Sequence, residues 1–144
     1  MRIVVDTNEL LRMASAWSAP VSPLLEAWRN GRYELALSDP LLAEFEAVAA
    51  RPNVRRFLPM VNAREFVSFA RMWSICVTPA DEFPRCRDPK DDVVIATAVA
   101  AQAEFIVTND SDLYDDSLLA ARLRDECNLR VVRPAEFLEV IRDH

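Results

Sequence analysis

Short runs of β-branched and aliphatic residues alternate along the chain with longer segments in which apolar residues return every three or four positions. The short runs, Arg2 to Val5, Glu34 to Leu37, Ile75 to Val77, Phe105 to Val107 and Arg130 to Val132, are each bounded by turn or capping residues and predict five strands. Several are apolar at successive positions, as in parallel strands covered on both faces. Between them, "SDPLLAEFEAV" and "RDPKDDVVIATAVAAQA" set Asp directly before Pro, the pairing of an N-cap with a first helical residue, and "RPAEFLEVIRD" opens a last helix at Pro134. In "NAREFVSFARMW", Phe66, Phe69, Ala70 and Trp73 share one helical face, which is expected in the core. The segment from Val93 to Ala103 is apolar nearly all round and rich in Ala, so it is expected to pack closely on the sheet. This alternation implies an α/β fold, a parallel sheet with helices on both sides and right-handed crossovers. Ligands of such sheets bind beyond the carboxyl ends of the strands, where strand order reverses.

A chain of 144 residues, 51% of them hydrophobic, fits a single domain over residues 1–144 with one core. It contains no repeat, low-complexity tract or linker. The longest apolar run, Val93 to Ala101, is too short to span a bilayer, and the stretch from Met1 to Asp6 is too short for a secretory signal, so a cytoplasmic protein is expected. Cys76, Cys86 and Cys127 are odd in number and lack metal spacing; buried free thiols are expected of them.

Two scarcities narrow the chemistry. The single glycine, Gly31, leaves no phosphate-cradling loop or nucleophile elbow, and the single histidine, His144, leaves no triad or His-ligated metal. Carboxylates are plentiful, 23 acids against 17 bases for a net charge of −6. That balance disfavours a broad basic nucleic-acid footprint but accommodates an acidic site loaded with cations. All bases except Lys90 are arginine, which suits bidentate phosphate contacts, although a codon-usage bias explains it equally simply.

The first strand runs, in "VVDTN", straight into Asp6. An ionised carboxylate there costs several kcal/mol unless it is compensated, so Asp6 either caps a helix or holds a cation. Asp110 follows the strand "FIVT", Glu44 lies in the first turns after the second strand, and Asp91 and Asp92 open the Ala-rich helix. Separate segments thus deliver carboxylates to one end of the sheet, the oxygen-rich donor set that Mg²⁺ or Mn²⁺ prefers. Each acid also has a plainer use. Asp110 caps a turn beginning at Ser111 equally well, and Asp91 and Asp92 sit where acids favour a helix N-terminus. Glu44, by contrast, lies too deep in its helix to cap it.

These segments resemble the PIN domain, in particular the bacterial single-domain toxins of VapC type. The matching pieces are "VVDTNELL", "LSDPLLAEFEAV", "RDPKDDVVIATAVAAQAEFIVTNDSDL" and "RVVRPAEFLEVI", in the family's order and over nearly the whole chain. The resemblance implies a three-layer α/β/α sandwich around a parallel sheet of four to five strands, and a metal-dependent ribonuclease site. It makes Asp6, Glu44, Asp91 and Asp110 the catalytic acids holding one or two Mg²⁺ or Mn²⁺ ions, with Asp92 and Asp112 as neighbours able to substitute. It further implies an RNA substrate, a homodimer and a protein antitoxin, with the Phe66, Phe69 and Trp73 stripe or residues near Trp17 and Trp28 as contact surfaces. Thr7, Asn8, Thr108 and Asn109 are expected either to orient ligands or to serve capping and turn formation. Arg51, Arg55, Arg56, Arg85 and Arg87, the bases nearest the acidic segments, are candidates for RNA phosphates, with solvated surface charge as the alternative for each. Glu9 departs from the small or aliphatic residue usual after "DTN"; it is expected to add charge at the mouth or to pair with Arg12. Two rivals are a strand-end aspartyl phosphatase, for which Asn8 stands where a second acid belongs and Lys90 is the only lysine for a phosphate, and a PIN-like module that binds without cutting.

Overall fold

The computed structural model describes residues 1–17 and 22–143; His144 lies outside the described residues. The strands are β1 (Arg2–Val5), β2 (Glu34–Leu37), β3 (Ile75–Cys76), β4 (Phe105–Val107) and β5 (Arg130–Val132), matching the sequence reading except that β3 stops one residue early. They form one sheet in the order β3-β2-β1-β4-β5, every pair parallel. Helices flank it: α1 (Thr7–Ser15), α2 (Pro23–Arg29), α3 (Asp39–Ala49), α4 (Pro52–Arg55), α5 (Met60–Trp73), α6 (Asp92–Ala101), α7 (Ser111–Tyr114), α8 (Ser117–Cys127) and α9 (Pro134–Arg142). No helix among the described residues is long and apolar enough to cross a membrane.

The chain steps from β1 to β2 to β3 in one direction, then returns to lay β4 on the other side of β1. Strand order therefore reverses between β1 and β4. Register does the rest: Val5 pairs with Val107, so the residues that follow, Asp6 and Thr108, emerge side by side at the carboxyl end.

The core explains why β1 reads as an unbroken apolar run. Ile3, Val4 and Val5 are each fully buried, as are Leu35, Ala36 and Leu37 beside them on β2. α6 packs against β1, β2 and β4, burying Val94, Ile95, Ala96, Thr97, Ala98 and Ala101 as its all-round apolar sequence requires. Small Ala side chains let this helix approach closely, and the buried hydroxyls of Thr97 and Ser38 satisfy each other at 2.7 Å.

Three expectations need correcting. Ser38, not Asp39, caps α3 through its hydroxyl to the Leu41 N–H; Asp39 occupies the first turn and pairs with Arg71 on the surface at 3.1 Å. Of the α5 stripe, Phe66 and Ala70 are buried and Phe69 is half-buried between Trp17 and Trp28, but Trp73 is 64% exposed. Trp73 is the last residue of α5, and its ring leans at a tilt of 38° toward Phe69 with most of its surface in solvent. Trp28 is buried and Trp17 half-buried. The thiols also diverge: Cys86 is buried and Cys127 half-buried, whereas Cys76 is exposed on β3, an edge strand with neighbours on one side only.

Candidate active site

Asp6 is 5% exposed at the tip of β1, and it is both a cap and part of an acidic cluster. Its Oδ1 accepts the Glu9 N–H at 2.9 Å, capping α1, while Oδ2 accepts the hydroxyl of Thr108. The Thr108 oxygen in turn accepts the Asp110 N–H at 2.9 Å, and Asp110 caps α7 by accepting the Asp112 N–H at 2.9 Å. Capping and clustering are therefore not competing explanations. The caps hold the carboxylates in place where the two strands end.

Asp91 reaches this cluster from the opposite segment. Residues 89–91 form a single 3₁₀ turn capped by Asp88, whose carboxylate accepts the Lys90 N–H at 3.1 Å. Side chains three apart in such a turn lie nearly one above the other, so Asp88 and Asp91 stand on the same side. Asp92, one residue on, turns away: its carboxylate accepts the Cys86 N–H at 2.9 Å and pairs with Arg85 at 3.5 Å. The geometry thus sets Asp91 on the cavity and holds Asp92 on Cys86 and Arg85.

Asp6, Glu44, Asp88, Asp91 and Asp110 line a cavity of about 240 Å³ whose bases are Arg51 and Lys90. Burial raises three of these acids. Burial pushes Asp6 up to about 6, partly offset by the Thr108 and Glu9 N–H bonds and reinforced by the charges of Glu9 and Asp110. Asp91 is pushed up to about 7 by burial, by the hydrogen bond it shares with Asp110, and by the charges of Asp110, Asp88 and Asp6. Glu44 is also raised by burial, against the Thr7 hydroxyl and Lys90. Thr7 Oγ1 lies beside Glu44 yet makes no well-formed hydrogen bond, a buried polar atom left over.

This donor set suits a hard divalent cation. It is all oxygen, carries more negative charge than its few bases offset, and includes three carboxyls, Asp6, Glu44 and Asp91, whose ionisation burial disfavours. Among the described residues, Asp88, Asp91 and Asp112 each place one carboxylate oxygen within 4.8 Å of the others, a spacing at which they can hold one ion. Asp112 additionally pairs with Arg87 at 2.8 Å. Glu44 stands on the cavity wall outside that close trio.

Residues 2–112 match the family model of the PIN domain. The chain belongs to the PIN-domain family. PIN domains are nucleases as a family, and the acidic cluster at the β1/β4 switch point lies inside the matched region. No curated protein matches the chain.

The remaining sequence candidates of this PIN domain are distributed unevenly. Thr108 is buried and joins Asp6 to Asp110, Thr7 faces Glu44, and Asn8 is exposed at the cavity wall. Asn109 donates to Glu9 at 2.8 Å. Arg51 lines the acidic cavity, whereas Arg55 and Arg56 are exposed without lining it. Arg85 lies over the Phe83 ring and pairs with Asp92, and Arg87 is held by Asp112 and the Ser111 carbonyl. Sequence reasoning passed over Asp88 because its place before Pro89 explained it as a cap; its spacing of three from Asp91 was the available signal.

Proposed function

We propose that this PIN domain is a metal-dependent endoribonuclease, the toxin of a toxin-antitoxin pair, with Asp6, Glu44, Asp91 and Asp110 as the acids that hold one or two Mg²⁺ or Mn²⁺ ions. The observation that carries the reading is the meeting of carboxylates from β1, α3, the 89–91 turn and the segment after β4 in one cavity at the switch point. Bound divalent cations would supply the Lewis acidity that makes a water nucleophilic and stabilises the leaving oxygen. The chain's own residues do the positioning. Thr108 and the α1 cap hold Asp6, the Asp112 N–H holds Asp110, and the 3₁₀ turn holds Asp88 and Asp91 on one side. Asp88, in or next to the ligand set, joins the four acids read from the sequence. Arg51 and Lys90 on the cavity wall supply positive charge toward an entering phosphodiester, and no histidine is needed.

The toxin reading brings with it a homodimer and an antitoxin in the cytoplasm. Support for a protein partner is the apolar outer surface of α5, where Val61, Met72 and Trp73 are more than half exposed.

Cleavage of a panel of labelled RNAs by wild type and Asp6→Asn, with Mg²⁺, Mn²⁺ or chelator, tests the proposal. Cutting that needs both metal and Asp6 is expected. Metal-independent cutting, or none by cooperatively folded protein on any RNA, would overturn it in favour of a module that binds without cutting.

A further inference from the structure

The acidic floor opens on two sides. Beside the cavity already described lies a second, of about 410 Å³, lined among others by Asp6, Asn8, Glu9, Arg12, Asn109 and Asp110. Asp6, Asn8 and Asp110 line both, so the two hollows share a wall.

The second hollow is built around an odd choice. Glu9 is 5% exposed, and its charge opposes the ionisation of Asp6 one turn away. Packing alone would favour an aliphatic side chain here, and a buried carboxylate is costly without partners. Its partners are Arg12, whose Nη1 donates to Glu9 Oε1 at 2.6 Å, and Asn109, whose Nδ2 donates to the same oxygen at 2.8 Å. The Arg12 side chain nevertheless remains 66% exposed. A guanidinium has five N–H donors, so one is anchored on a buried carboxylate and others stay free along the hollow. An anchored arginine loses less freedom on binding than a solvated one.

We propose that this hollow is a second substrate subsite, in which Arg12 binds a phosphate of single-stranded RNA adjacent to the phosphate that is cleaved. The proposal rests on the nuclease reading. A polyanion approaching acids on a chain of net charge −6 needs N–H donors fixed on each side of that shared wall. Arg51 and Lys90 serve one side; Arg12 is the one base lining the other among the described residues. The strand then lies across Asp6 and Asp110 from one hollow to the other, and a backbone sunk into cavities this small enters unpaired. Glu9 acts as a positioning residue, holding Arg12 at the rim.

The test is steady-state cleavage of single-stranded RNA over a range of salt concentrations. Arg12→Ala is expected to raise KM about tenfold, as loss of a charged hydrogen bond implies, with kcat within about twofold of wild type. The slope of log kcat/KM against log salt should become shallower by about 0.7, the value for one phosphate contact on a single strand. Arg12→Lys keeps the charge and should keep the slope. Because Arg12→Ala leaves Glu9 short of a partner, the double variant Glu9→Gln/Arg12→Gln, which strands no buried charge, carries the same expectation if the single variant does not fold. Arg122→Ala, remote on α8 and paired with Glu126, should match wild type. Wild-type KM and salt slope in both the single and double variants would overturn the subsite and leave the nuclease reading intact. Absence of metal-dependent cutting by wild type would overturn both.

Discussion

The Thr108 hydroxyl donates to the Asp6 carboxylate across the gap between β4 and β1, joining the two strands at the point where the order of the sheet reverses. The same oxygen accepts the Asp110 N–H, so one buried hydroxyl sets the positions of two acids. Its placement follows from the pairing of Val5 with Val107.

Thr108→Val keeps the shape and removes the hydroxyl. Because the Thr108 bond lowers the Asp6 pKa, its loss should raise that pKa above its value of about 6. The stability cost should be roughly 1–3 kcal/mol for partners left unsatisfied in the interior. Mn²⁺ affinity should fall about 10- to 100-fold, the usual penalty for losing a group that orients a ligand. Denaturant unfolding and calorimetric Mn²⁺ titration measure both; unchanged Mn²⁺ binding would show that Thr108 does not set the metal site.

Asp91→Asn and Asp92→Ala should separate cleanly. Asp91 lines the cavity, so its replacement should abolish metal-dependent stabilisation and RNA cleavage. Asp92 bonds the Cys86 N–H and Arg85, so its replacement should cost about 1 kcal/mol of stability while leaving metal affinity within about threefold. Thermal melts with and without Mn²⁺ decide it, and equal loss of the metal response in both variants would refute the separation.

The metal-free protein should lose stability as pH rises. Asp6 and Asp91 have folded-state pKa values near 6 and 7, above the ordinary 3.8, so between about pH 4 and pH 7 the folded state binds more protons than the unfolded state. Their contribution is fully present below pH 4 and is lost as pH climbs through 6 and 7. For Asp6 alone the shift corresponds to about 3 kcal/mol at pH 8, an upper bound that relaxation of the site reduces. Asp6→Asn should therefore flatten the profile and stabilise the metal-free protein at pH 8, and Mg²⁺ should stabilise wild type more at pH 8 than at pH 5. Urea midpoints across pH, with chelator and with Mg²⁺, provide the readout; a chelated wild type more stable at pH 8 than at pH 5 would contradict it.

On α5, Phe66→Ala should cost about 3–5 kcal/mol, because Phe66 is fully buried against Phe45, Trp17 and Trp28. Trp73→Ser, at an exposed helix end, should change stability by no more than about 0.5 kcal/mol. Comparable losses at both positions would contradict the division of the stripe into core and surface.

Strand positions, the parallel sheet and the segments that carry the acids were determined by the sequence itself, because backbone preferences, apolar periodicity and capping chemistry act over a few neighbouring residues. Continuous apolar runs such as Ile3 to Val5 read as strands buried on both faces, and Asp88 before Pro89 read as a cap; both local readings agree with the structure. Tertiary structure alone decided which acids meet. Asp91 and Asp92 are indistinguishable by composition, and only the 3₁₀ turn aims one into the cavity and the other at Cys86. The pairing of Glu9 with Arg12, three residues on, was legible locally, but Glu9 and Asn109 are a hundred residues apart, and no local signal announces that Glu9 is buried or that Asn109 shares its oxygen. Trp73 falls on the right helical face but beyond the reach of the core, since periodicity records direction around a helix and not where its neighbours end. Local forces write elements into the sequence; the electrostatic character of the site arises when register and strand order bring charges from distant segments within a few ångströms of one another.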